Sequence, residues 1–194
     1  MSEELNAVLG TLVKQHEKAV SGFFKQHNAD LVELSGVLAD AFTNGRKLLV
    51  CGNGGSACDA MHIAGEFVGR FIKDRRALPA IALTADPGII TAVSNDYAFE
   101  DIFSRQIEAL GKAGDVLIGI STSGQSANVL KALEAGNTYN LYTVLLTSER
   151  CEAVVDAKQV FKVPSAVTAH IQETHIMALQ ALVSLVEKRL FPTL

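Results

Sequence analysis

His62 and Glu66 stand four residues apart in a stretch whose apolar residues recur at helical spacing. Four residues turn a helix by about 400°, so both side chains leave nearly one face. An imidazole and a carboxylate so placed can share a metal ion, or form a general base with the group that orients it. The same spacing also describes an ordinary exposed pair. Just upstream runs Cys51-Gly52-Asn53-Gly54-Gly55-Ser56. Glycines there let backbone amides point into one concavity, and a following helix N-terminus adds partial positive charge. Asn53, Gly54, Gly55 and Ser56 therefore suit a phosphate or the oxygens of a sugar. Read alone, the run fits equally a tight turn with Ser56 as helix cap. No Gly-Lys-Ser/Thr follows, and the spacing of a dinucleotide fingerprint is absent.

A second polar run, Ser121-Thr122-Ser123-Gly124-Gln125-Ser126, places four hydroxyls in six residues. Beside the free N–H groups of a helix start, Ser121, Thr122, Ser123 and Ser126 can neutralise a phosphate by hydrogen bonds rather than cations. The alternative is one capping serine with the others solvated. Asn95-Asp96 closes a helical stretch, either as a turn or as a polar contact to a substrate. The last segment carries Gln172, Glu173, His175 and Gln180 among apolar neighbours. Its core face is read as Ile171, Leu179, Leu182, Val183, Val186 and Leu190, with Gln180 facing solvent or a site. His16 and His27 are read as surface residues.

The elements that must position these groups follow from hydrophobic period. Leu5, Val8, Leu9, Leu12 and Val13, then Val20, Phe23 and Phe24, mark a first helix; Leu31, Leu34, Val37, Leu38 and Phe42 mark a second, stopped by Asn44-Gly45. Short apolar runs at 47–51, 78–83, 115–120, 142–146 and 159–163 read as five strands. Helical patterns alternate with them at 56–71, 89–94, 99–110, up to 135, 152–155 and 169–190. Strands alternating with helices predict an α/β fold with a doubly wound five-stranded parallel sheet, which binds ligands beyond its C-terminal strand ends. We expect a single domain over residues 1–194, with N-terminal helices at 1–45 and the sheet core and C-terminal helix at 46–194.

Composition narrows the class. The 194 residues carry a net charge of −4 and are 48% hydrophobic, which excludes a disordered chain and a nucleic-acid binder working through a basic face. No apolar run is long enough to span a bilayer, and with no cationic leader or apolar stretch in MSEELNAVLGTLVKQ no secretory signal is expected. Three cysteines form no paired framework, so the expected location is cytoplasmic.

Together, CGNGGS, the His62–Glu66 helix, Asn95-Asp96 and STSGQSANV resemble the SIS (sugar isomerase) domain. Within it the chain is most similar to the phosphoheptose isomerase family, from the N-terminal helices through Ile171-Gln172-Glu173. That resemblance implies a flavodoxin-like sheet in a homotetramer with active sites at subunit interfaces. It implies isomerisation of sedoheptulose 7-phosphate to D-glycero-D-manno-heptose 7-phosphate through an enediol, in nucleotide-activated heptose and lipopolysaccharide synthesis. Ser121, Thr122, Ser123 and Ser126 would hold the phosphate. Asn53, Gly54, Gly55, Ser56, Asn95, Asp96 and Gln172 would contact the substrate, with Glu66 as catalytic base. Zinc would fall to His62, Glu66 and Gln172.

The chain departs from that pattern in three places. Gln180 occupies the position of a family His that is both acid/base and metal ligand; Gln exchanges no proton and offers a metal only a weak carbonyl oxygen. The loop Thr147-Ser148-Glu149-Arg150-Cys151 lacks the usual Gly-Gly turn, and His170 replaces an Arg or Lys. A related non-catalytic branch, which binds the replication initiator DnaA as a tetramer, also lacks that His and shares a Leu-Phe-Pro tail. It tends to carry CGNGTS and to lose the Glu, whereas this chain keeps Gly55 and Glu66. Sugar-phosphate-sensing regulators would need an added DNA-binding domain.

Overall fold

In the computed structural model, which describes residues 1–193, helix α1 covers Ser2–Thr43 as one 42-residue rod of about 60 Å. The two separate helices expected from the sequence do not occur. The reason is His27, which reads as a polar interruption but continues the inward stripe Ala19, Phe23, His27, Leu31, Leu34 and Leu38. Its ring lies 5.1 Å from Phe23 and 5.3 Å from Phe161, and its Nε2 accepts the Lys162 N–H at 3.2 Å. Its Nδ1–H is then free to donate to Asp30 Oδ2 at 2.9 Å. His27 is thus a satisfied core residue, 5% exposed, and not the surface group expected.

The five strands are β1 (Leu48–Gly52), β2 (Ala80–Ala82), β3 (Val116–Ile120), β4 (Tyr142–Ser148) and β5 (Gln159–Val163). They form one parallel sheet in the order β2-β1-β3-β4-β5, the flavodoxin-like winding. β2, an edge strand containing a proline-adjacent start, pairs over three residues only. Alternate strand residues feed two cores. Leu48, Val50, Ile118 and Phe161 pack under α1, α2 (Gly55–Val68) and α6 (Thr168–Leu190). Leu49, Cys51, Leu117 and Leu145 pack under α4 (Ser104–Leu110) and α5 (Ala127–Thr138). Helix α3 (Pro87–Asp96), capped by the Asp86 carboxylate, buries no residue completely. No helix forms at 152–155: Cys151 turns inward, 2% exposed, and its carbonyl accepts from Lys162 Nζ at 2.7 Å. No helix among the described residues is long and apolar enough to cross a membrane.

Helix α6 buries Ile171, Leu179, Leu182, Val183 and Val186 as expected, with Leu190 partly buried. It also buries His175 completely. Its Nε2–H donates to the Thr147 carbonyl at 2.9 Å, while Nδ1 has no partner. Burial outweighs that hydrogen bond and lowers the imidazole to about 4, so it is neutral in the fold. The unfolded chain binds this proton near pH 6.5, hence the contribution to stability is full above that value and is lost as pH falls toward 4, by about 3 kcal/mol in all. Urea midpoints measured from pH 7 to 4 should fall more steeply for the natural chain than for His175→Gln, which keeps a donor and cannot titrate.

Candidate functional site

Parallel pairing of β1 with β3, Cys51 opposite Gly119 and Gly52 opposite Ile120, brings the two polar runs side by side at the strand ends. This is the switch point in strand order, where such sheets hold ligands. Gly54 caps α2 with φ +56, a conformation open to glycine, and Ser56 lies inside the helix and is buried. The turn-and-Ser-cap reading of this run therefore does not hold. A Cβ on Gly52 would meet Ser56 and the Ile120 carbonyl at 2.8 and 3.0 Å, and one on Gly55 would strike the Gln172 side-chain amide. These glycines are required by close approach of β3 and α6. Gln172 is thereby set against the first turn of α2.

The second run is shaped by Gly124, at φ +68, where a Cβ would strike Cys151. The glycine-free loop after β4 thus supplies the floor of this turn, helped by Ser148 Oγ donating to the Thr122 carbonyl at 2.7 Å. Ser126 is the N-cap of α5, yet its hydroxyl makes no capping bond and lies 2.9 Å from Ser121 Oγ. The first N–H groups of α5 are left facing the loop, as at any uncapped helix start. Ser123 Oγ accepts from the Gln125 N–H at 3.2 Å.

A contact with no counterpart in the sequence pattern joins the runs. Asn53 and Asn128 exchange two amide hydrogen bonds, each 2.8 Å, with Asn128 buried. Asn128 was reachable only as the second residue of α5; nothing in its spacing pairs it with Asn53.

On α2, His62 Nε2 and Glu66 Oε1 are 3.1 Å apart, the imidazole about half exposed and the carboxylate 20% exposed. Arg75 fixes this end of the helix. Its guanidinium, 1% exposed, donates to the carbonyls of Glu66, Phe67 and Gly69 and pairs with Glu187 at 2.8 Å. Asp59, one turn before His62, escaped the sequence reading although seven residues, two turns, separate it from Glu66. Burial pushes its carboxyl up to about 6, with the His62 charge opposing, and its Oδ2 is buried without a partner. Gln180 is half-buried two turns beyond Gln172 and makes no side-chain hydrogen bond among the described residues. Asn95 and Asp96 end α3, exposed and bonded to each other at 2.7 Å. Among the described residues, His16, His170 and Glu173 form a group whose ligand atoms lie within 4.8 Å of one another, apart from the set expected to bind zinc.

This winding, with a glycine turn and a hydroxyl turn side by side at the switch point, is that of the SIS (sugar isomerase) class of domains. The family model described as the SIS domain matches residues 13–148. The chain belongs to the phosphoheptose isomerase family of SIS-domain proteins. The phosphoheptose isomerase of Geotalea daltonii is 47% identical over 180 residues, covering 92% of this chain and 94% of its own. That of Geobacter sulfurreducens is 52% identical over 157 residues, covering 80% and 83%. The solved phosphoheptose isomerase GmhA of Neisseria gonorrhoeae superposes with a TM-score of 0.88 at 36% identity, covering 95% of this chain and 99% of that one.

The amide pair should behave as a single unit. In a double-mutant cycle of Asn53→Ala and Asn128→Ala, followed by chemical denaturation, each single change should cost about 1–3 kcal/mol and the second should add little to the first.

Proposed function

We propose that the chain isomerises sedoheptulose 7-phosphate to D-glycero-D-manno-heptose 7-phosphate. The observation that carries this is the fusion of the two loops by Asn53 and Asn128 next to the Glu66 helix, a phosphate cradle and a base on one rigid frame. Ser121, Thr122, Ser123 and Ser126, with the first amides of α5, bind the phosphate. Asn53, Gly54, Gly55, Ser56 and Gln172 contact the sugar, and Asn95 and Asp96 close on it from α3. Glu66 removes the C1 proton of the ketose, giving the enediol, and returns it to C2. His62 orients that carboxylate. Gln180 has no proton to exchange, and we assign transfer between the two hydroxyl oxygens to Asp59, the remaining carboxyl on this stretch of α2.

Zinc fits part of this donor set. His62 and Glu66 are spaced as neighbouring ligands of one ion, and Gln172 adds an amide oxygen, whereas Gln180 is a poor substitute for an imidazole. Bound there, the ion would polarise the sugar carbonyl. Gly55 favours the enzyme over the non-catalytic, DnaA-binding branch: a threonine side chain at this position would displace the Gln172 amide.

A homotetramer with interfacial sites is part of the same reading. Gly54, Gly55, His62, Asn95 and Asp96 are exposed in the single chain. So are Leu5, Val8, Leu9, Leu12 and Val13, at 47% to 64%, along the free half of α1. With free cysteines at 51, 58 and 151, the location we assign is the cytoplasm.

Purified chain should turn over sedoheptulose 7-phosphate, followed by NMR of the aldose product; no turnover with or without zinc overturns the assignment. Glu66→Gln should lower kcat by about 10²–10⁴ with an intact fold. Ser123→Ala should raise KM about tenfold or more, since a hydrogen bond to a charged group is lost. Asp59→Asn should lower kcat while raising the melting temperature above pH 6. The carboxyl is raised in the fold, so its cost to stability accumulates from about pH 4 to 6 and persists above.

A further inference from the structure

We infer that His16, His170 and Glu173 form a second metal site, for a borderline transition cation such as zinc, that clamps α1 to the first turn of α6. Glu173 Oε2 stands 2.7 Å from His16 Nδ1 and 3.3 Å from His170 Nδ1. All three ligand atoms fall within 4.8 Å of one another. Ligands around a tetrahedral zinc with bonds of about 2.0–2.1 Å stand about 3.3 Å apart, so small side-chain rotations bring the set to coordination distance.

One hydrogen-bonding fact, and one tautomer that the contacts allow, favour a cation site over a finished ion pair. His16 Nδ1 is sealed from solvent and makes no hydrogen bond, because the Glu173 oxygen, though 2.7 Å away, lies off the direction in which an N–H would point. His170 Nε2 lies 3.4 Å from Gln15 Oε1 and its Nδ1 lies 3.3 Å from Glu173 Oε2; both oxygens accept, and a neutral ring donates to only one of them. In the tautomer that donates to Gln15, Nδ1 is left as a lone-pair donor on the Glu173 side, free to bind a cation. Nδ1 of His16, Nδ1 of His170 and the Glu173 oxygen converge as electron donors, with Gln15 holding one ring as an outer partner does at metal sites.

The chemistry of the donors selects the ion. Two imidazoles and one carboxylate suit zinc, cobalt, nickel or copper, and disfavour magnesium and calcium, which take oxygen sets. The positive end of α6 opposes a cation, and the Glu173 carboxylate offsets it. A cavity of about 600 Å³ beside the group, walled by Leu9, Leu12, Val13 and Ala169, leaves room for a water as fourth ligand. The bridge would join positions 16 and 170, fastening the end of α6 that carries Gln172. None of the three residues belongs to the His62–Glu66–Gln172 set.

The experiment uses chelator-stripped full-length chain titrated with Zn2+ by calorimetry and with Co2+ by visible absorption. His62→Ala removes the other set. That variant should still bind one zinc per chain, show the absorption of a four-coordinate cobalt site, and melt at a higher temperature with zinc. His62→Ala/His16→Ala should bind at least tenfold more weakly and lose the thermal shift. His16 is half exposed, so its loss leaves the core intact. No zinc uptake by His62→Ala, or affinity unchanged within twofold on removing His16, overturns the inference. A natural chain that loses its only zinc on His16→Ala supports this site while refuting zinc at His62.

Discussion

The double amide bond between Asn53 and Asn128 is the constraint on which the site depends. Parallel pairing of β1 and β3 brings two turns close, but adjacency alone leaves each turn free to move. The asparagines remove that freedom using neutral groups at the seam, Asn128 buried and Asn53 half-buried. Each satisfies the other's donor and acceptor, so neither amide is left unpaired in a place where water is scarce. The glycine turn, which aims α2 and hence Glu66, and the hydroxyl turn, which starts α5, then move as one body.

The same economy recurs around it. Glycines are kept where another element needs the space: Gly52 against β3, Gly55 against Gln172, Gly124 against Cys151. Charge is used sparingly and is held at the far end of α2, where Arg75 gathers four carbonyls and Glu187. Asp59 runs the other way. Its carboxyl is half-buried with its own Oδ2 unsatisfied, a destabilising arrangement of the kind that tends to gather where a protein performs chemistry.

How much of this could be read beforehand varied with the physics of each element. Five strands were legible because buried parallel strands are short unbroken apolar runs. The two polar turns were legible because glycines and clustered hydroxyls are rare between such runs. The continuity of α1 was hidden because His27 occupies an apolar register position while satisfying both its nitrogens. Asp59 was visible in principle at two turns from Glu66, but its burial depends on packing no local pattern records. The Asn53–Asn128 pair and the His16–His170–Glu173 group join residues 75 and more than 150 positions apart, and only the folded sheet and the α1–α6 contact bring them together.

The long first helix has a thermodynamic consequence. Its inner half is anchored by Phe23, His27 and Leu34, while its outer half offers an apolar ridge to water and little to hold it. Helical hydrogen bonds alone leave such a segment near the balance between ordered and frayed. In the homotetramer proposed above, copies of the chain covering that ridge would supply part of the folding free energy, and by mass action stability would become a property of concentration as well as of sequence.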